Sequence, residues 1–236
     1  YLAERVRELA LFDLPFVIES RERAYALLDG PLGERIKARF LEDTGFRVLG
    51  FWDNGFRHFS NRVRAIAMPE DCAGLRIRTM DSEIHKRAFG LLGMEPAHVD
   101  VRDLLEATAS GAIDAQENPL TNIYRLGMYK HHRYVTLSGH FFGVSLLLVH
   151  AASYDAWPPA LRDAVDAAAA EATQAQRAFA AEEDAAMRAL LDPAETEIHE
   201  LSPEARARFI AAVRPLLDAQ REALGDELFG YLEIES

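Results

Sequence analysis

The sequence predicts an α/β fold, and three observations carry that expectation. Short strand-like runs, such as the period-two pattern of Leu75, Ile77 and Thr79, alternate with stretches of helical period along almost the whole chain. At 236 residues the chain can build one large core or two lobes of about 100 residues each. A helical pattern of about 30 residues after Pro158-Pro159 would extend ~45–50 Å at 1.5 Å per residue, which exceeds one lobe and predicts a helix spanning both. Alternation of this kind argues for mostly parallel strands, with ligands outside their carboxyl ends.

In chain order, residues 1–12 place Leu2, Val6, Leu9 and Ala10 at helical spacing. Leu14-Pro15-Phe16-Val17-Ile18 is extended, because a proline biases the residue before it away from helical backbone. Ser20 offers an N-cap to a helix that Gly30-Pro31 ends, and a further helix stops at Gly45. A strand over 46–51 leads into a loop at Trp52-Asp53-Asn54-Gly55-Phe56-Arg57, rich in turn formers. The stretch from Gly74 to Pro119 reads as strand, helix, loop, helix, strand, with Asp81-Ser82 capping its first helix. Two more strands are expected at 134–137 and 144–149, the second apolar enough to be covered on both faces. The long helix, over about 159–191, carries a narrow apolar stripe of Leu161, Val165, Ala168, Ala172, Ala175 and Phe179. Its alanine richness lets it lie close to its neighbours. Residues 196–199 form a short strand, and Ser202-Pro203 starts a helix that Pro215 kinks or restarts.

The bulk numbers exclude several classes. With 38 acidic against 26 basic residues, the net charge of -12 disfavours a nucleic-acid partner, which needs a basic surface. A small anionic ligand stays possible, since one buried arginine can dominate a pocket. The single Cys72 can make neither an intrachain disulfide nor a metal cluster, and reads as a small, partly buried side chain. No apolar run is long enough for a membrane span. Tyr1-Leu2-Ala3-Glu4-Arg5 has neither a basic start nor an apolar h-region, so a processed or incomplete copy of a longer chain is expected.

Chemistry concentrates between Gly74 and Pro119. Arg76 and Arg78 share one face of their strand, and Arg78 lies at its carboxyl end beside a helix N-terminus. Guanidinium holds a carboxylate through two parallel hydrogen bonds and stays charged at any working pH. A structural salt bridge is the equal alternative for Arg78. Pro119 holds Asn118 extended at a strand exit, where its amide offers a donor and an acceptor, unless it serves an Asx-turn. Arg57, after Gly55-Phe56 in the loop, reads on local grounds as a surface arginine. His131-His132, flanked by Lys130 and Arg133, reads as a solvated polar run, and His140 as a turn or cleft-lining residue. No nucleophile elbow, phosphate-binding glycine loop or zinc-ligand spacing occurs, so neither catalytic residues nor a metal or cofactor are expected.

Gly74-Leu75-Arg76-Ile77-Arg78, Leu92-Gly93-Met94-Glu95-Pro96 and Gly111-Ala112-Ile113-Asp114-Ala115-Gln116-Glu117-Asn118-Pro119 together resemble the DctP-like solute-binding proteins of tripartite ATP-independent periplasmic (TRAP) transporters. Phe12-Asp13-Leu14-Pro15-Phe16, Gly50-Phe51-Trp52-Asp53-Asn54-Gly55-Phe56-Arg57 and Thr136-Leu137-Ser138-Gly139-His140 extend the resemblance over essentially the whole chain. It implies an α/β, two-lobed periplasmic-binding-protein-like fold with a long interlobe helix, N-terminally incomplete. Residues 1–55 and 143–180 would form lobe one, and 56–142 and 181–236 lobe two. The family's main carboxylate clamp falls on Arg78, its pocket asparagine on Asn118 and its loop arginine on Arg57. Asp81 and Trp52 are further pocket candidates. The chain departs from the pattern at Ala115, Leu105 and Lys130, where the family favours glycine, tyrosine and glutamate. The implied function is a monomeric periplasmic receptor that takes a small organic acid to TRAP membrane subunits, without a cofactor and without chemistry. An enzyme acting on a small organic acid, or a ligand-sensing module for a membrane receptor, are the alternatives.

Overall fold

The computed structural model describes residues 2–233. Tyr1, in the expected first helix, and residues 234–236, in the expected second lobe, lie outside the described residues. The chain opens with two 3-10 stretches, Leu2–Glu4 and Arg7–Asp13, where a helix was expected. Helices α1 (Arg21–Asp29) and α2 (Pro31–Thr44) follow, then strand β1 (Phe46–Asn61). Strand β2 (Arg76–Thr79), helix α3 (Glu83–Leu91), strand β3 (Glu95–His98), helix α4 (Leu104–Ser110) and strand β4 (Ala115–Pro119) fill the stretch up to Pro119. Next come α5 (Leu120–Arg125), β5 (Tyr134–His150), α6 (Ala151–Asp155), α7 (Pro159–Leu190), β6 (Glu197–Glu200), α8 (Pro203–Leu224) and α9 (Asp226–Glu233).

Local chemistry explains the boundaries. The hydroxyls of Ser20, Ser82 and Ser202 accept hydrogen bonds from the backbone N–H of Arg23, His85 and Ala205, capping α1, α3 and α8. Gly45, at φ 74°, ends α2 in the left-handed conformation that a side chain would disfavour. Pro215 sits inside α8 without dividing it.

The strands form a six-stranded sheet in the order β3-β2-β4-β1-β5-β6. Five of the six strands run in the same direction, as the expectation of mostly parallel strands has it, and β1 is the exception. Pairs β2/β3, β2/β4 and β5/β6 are parallel, but β1 runs antiparallel to both β4 and β5. The expected loop at 52–57 is absent. Its turn formers are absorbed within β1 as register irregularities at Val48/Gly50, Asp53/Gly55 and Arg57/Phe59. Gly55 takes φ 90°, and its N–H donates to Asp53 Oδ1 at 2.6 Å, so the turn chemistry closes locally without breaking the ladder. The two strands expected at 134–137 and 144–149 are one, β5.

Three apolar clusters frame this sheet. One gathers Phe12, Leu28, Phe40, Phe51 and Phe142 with α1, α2 and α9. The second packs Phe59, Ile77, Phe89 and Phe141 against α8. The third holds Leu104, Ile123 and Val135. Helix α7 crosses β1, but not by its apolar stripe: Leu161 and Phe179 are 45% and 57% exposed. Polar side chains beside the buried Ala169 bond to β1. Thr173 Oγ1 accepts from Trp52 Nε1 at 3.2 Å, Gln176 bonds both backbone groups of Asp53 at 2.8 Å, and Arg177 Nε donates to Phe51 O at 3.1 Å. The apolar run at 144–149 is not covered on both faces either, since Ser145 and Leu148 are exposed.

Candidate functional site

Arg78 and Asn118 occupy the penultimate positions of β2 and β4, parallel strands whose carboxyl ends lie side by side. Arg78 pairs in register with Gln116, and Gln116 and Asn118 share a face of β4 by the two-residue period. Arg57 pairs with Pro119, which places it with Glu117 on the opposite face. All three predicted residues are buried, with Arg57 at 5%, Arg78 at 3% and Asn118 at 5% exposure. Arg57 is therefore not a surface arginine.

The Arg57 guanidinium donates from Nε to Glu117 Oε2 and from Nη2 to Glu117 Oε1 at 2.8 Å and Glu117 O at 2.9 Å. A longer contact of 3.4 Å runs from Nη2 to Asn118 Oδ1, so Arg57 and Asn118 meet at the strand end. These bonds leave Nη1 as the remaining donor. Asn118 Nδ2 donates to Gln116 Oε1, Gln116 Nε2 donates to Ser60 Oγ, and Ser60 Oγ meets His132 Nδ1 at 2.9 Å. This polar chain is buried throughout. Arg78 Nε donates to Val99 O at 2.7 Å.

Burial raises the Glu117 carboxyl, but the Arg57 charge and His140 outweigh it and hold the group below the ordinary carboxylate range. His140 lies 3.6 Å from Glu117 Oε2 and stacks on Phe59 at 4.2 Å between centroids. Its pKa is lowered, chiefly by burial, against the pull of Glu117. His132 is fully buried, not solvated, and desolvation brings its pKa down to about 3. Cys72 is also fully buried, and burial pushes its thiol up to about 12.

The remaining predicted residues lie apart. Asp81 is an exposed partner of Lys86, at 2.8 Å. Trp52 lines a separate depression beside α7, with Thr121, Asn122 and Asp184. A cavity of about 200 Å³ is lined by Arg57 together with Asp13, His85, Met80 and Phe141. Arg78, Asn118, Asp81 and Trp52 are not among its walls. Sequence reasoning missed His85 and Asp13, and also Arg21, which pairs with Asp53 at 2.7 Å and with Asp184 to tie α1, β1 and α7 together. The only sequence signal for Asp13 was its place in the Phe12-Asp13-Leu14-Pro15-Phe16 segment.

With this geometry in hand, residues 1–223 match the family described as bacterial extracellular solute-binding protein, family 7 (DctP). The chain belongs to this family. A DctP relative from Rhodobacter capsulatus, named as a C4-dicarboxylate-binding periplasmic protein, is 30% identical over 94% of this chain and 66% of its own length. A TRAP periplasmic solute-binding protein from Sulfurospirillum deleyianum, solved with succinate, superposes with a TM-score of 0.91 at 30% identity, covering 100% of this chain and 77% of that one. Its counterpart from Roseobacter denitrificans, solved with β-D-glucuronate, gives 0.93 at 26% identity, with 100% and 78% covered. The chain spans 52–66% of the length of three of the curated relatives it matches. DctP-family proteins bind solutes and are not enzymes. The two-lobed architecture is that of these solved relatives.

Proposed function

We propose that this protein is a periplasmic receptor that captures a carboxylate-bearing solute and delivers it to the membrane subunits of a TRAP-type transporter. The observation that carries this reading is the presence of two nearly fully buried guanidinium groups, Arg57 within β1 and Arg78 near the carboxyl end of β2, in a DctP-family chain. Arg57 has Glu117 and keeps Nη1 for a further acceptor. Arg78, with one guanidinium nitrogen on Val99 O, supplies the principal clamp, and Asn118 fixes orientation beside it.

Capture needs two bodies that close. We place their division at 55/56 and 142/143, so that 1–55 with 143–180 moves against 56–142 with 181–236. Gly55 and Gly143 face each other in the β1/β5 ladder at a register irregularity, where backbone can bend. Closure would desolvate the ion pair and strengthen it.

Calorimetry with a panel of sugar acids, C4-dicarboxylates and keto acids tests the reading. Arg78→Ala should abolish binding of whichever acid the wild type takes, with circular dichroism unchanged. Arg78→Lys should also weaken it strongly, because the fork is lost. Undiminished affinity in Arg78→Ala would refute the clamp.

A further inference from the structure

His85 is unexplained by the reading above. It is 1% exposed, and both ring nitrogens lack a hydrogen-bond partner. An unsatisfied buried polar group is costly, so a partner is expected when the site is occupied. The ring is held in place by stacking on Phe141, with centroids 4.0 Å apart and planes at 8°. It lines the same cavity as Arg57. Asp13, on the same wall, brings Oδ1 to 3.5 Å from His85 Nε2, too long for a good hydrogen bond. Neither Asp13 carboxylate oxygen makes a hydrogen bond among the described residues.

The cavity therefore offers three chemically different groups: a guanidinium donor from Arg57, an acceptor-only carboxylate, and an imidazole that donates from one nitrogen and accepts at the other. A molecule that satisfies all three carries one carboxylate for the arginine side and a hydroxyl for the other. The hydroxyl donates to Asp13 and accepts from His85. A second carboxylate in that place would meet Asp13 as a like charge.

We propose that His85 and Asp13 form a hydroxyl-reading subsite, which makes hydroxylated monocarboxylates preferred over unsubstituted dicarboxylates. This rests on the carboxylate-binding reading through Arg57, which lines the same cavity. A hydrogen-bonding site of this kind rejects an analogue lacking the hydroxyl, because its own polar groups are then left unpaired.

The test is calorimetry on the full protein with D-gluconate, D-galactonate and D-glycerate against succinate. The wild type should bind at least one hydroxy acid more tightly than succinate. His85→Phe keeps the stack on Phe141 and removes both nitrogens; it should weaken that hydroxy acid by about tenfold or more and leave succinate little changed. Asp13→Asn, closer to the surface and less exposed to misfolding, should weaken the hydroxy acid and improve succinate. Tighter binding of succinate than of every hydroxy acid, or equal loss for both classes in both variants, would overturn the subsite while leaving the arginine reading intact. Binding of no acid by the wild type would overturn both.

Discussion

Arg57 owes its burial to Glu117, whose two oxygens and backbone carbonyl occupy Nε and Nη2. Glu117→Ala would strand a guanidinium that is nearly sealed from water, and should destabilise the fold by about 3–5 kcal/mol. Glu117→Gln keeps one acceptor and should cost less. Urea denaturation checks both, and a loss below about 1 kcal/mol in the alanine variant would show that solvent reaches the charge. The positions of Arg78 and Asn118 near strand ends were legible from strand period and from Pro119, whereas Arg57, expected in a loop, lies inside β1. His132 was not legible. Its neighbours Lys130, His131 and Arg133 advertise a solvated run, and only the distant Ser60 makes it a buried link in a polar chain. His85 and Asp13 were hidden for the same reason, since a cavity wall assembled across the fold leaves no local spacing to read.

β1 shows what an element's own residues can and cannot announce. Asp53, Asn54 and Gly55 carry sound turn chemistry, but β5 pairs with β1 on both sides of them and carries the ladder through. The long helix is the converse. Its length was legible to within a residue, from Pro159 to Leu190, because prolines bound it at both ends. Its packed face was not, because Thr173, Gln176 and Arg177 turn inward to bond β1 and leave the apolar stripe outside. That contact depends on Gly50, where an added Cβ would fall 2.2 Å from Thr173 Oγ1. Gly50→Ala should therefore cost about 1–3 kcal/mol through overpacking. Thr173→Ala in the same background should recover part of the loss, a coupling that a double-mutant cycle measures. Phe179→Ala, on the exposed side, should change the stability of this protein by no more than about 0.5 kcal/mol.

Across the whole molecule the two-lobed plan was legible from the family resemblance, since length left one large core open as well, whereas the antiparallel pairing of β1 was not, because strand direction is set by which distant segments meet. Those meetings also bury titratable groups, and they fix how the fold responds to acid. His132 titrates near 3 in the folded chain against 6.5 for the free side chain, and His140 is lowered too. The unfolded chain thus binds more protons than the folded one as pH falls through 6.5, and stability must fall with it, by up to about 1.4 kcal/mol per pH unit for each histidine. Glu117 adds to the loss at lower pH. Its folded pKa lies below the ordinary 4.5, so the stability it confers is present above that value and is lost as pH drops further. Thermal melts from pH 8 to pH 3.5 should accordingly show a plateau, a decline beginning near 6.5 and a steeper one below 4.5. His132→Asn keeps a polar atom near Ser60 and removes one titration, so its melting temperature should fall less between pH 6.5 and 5 than that of the wild type. Parallel curves for the two proteins over that interval would mean that His132 is already protonated in the folded state, and that the buried polar chain running from Asn118 to it carries a charge.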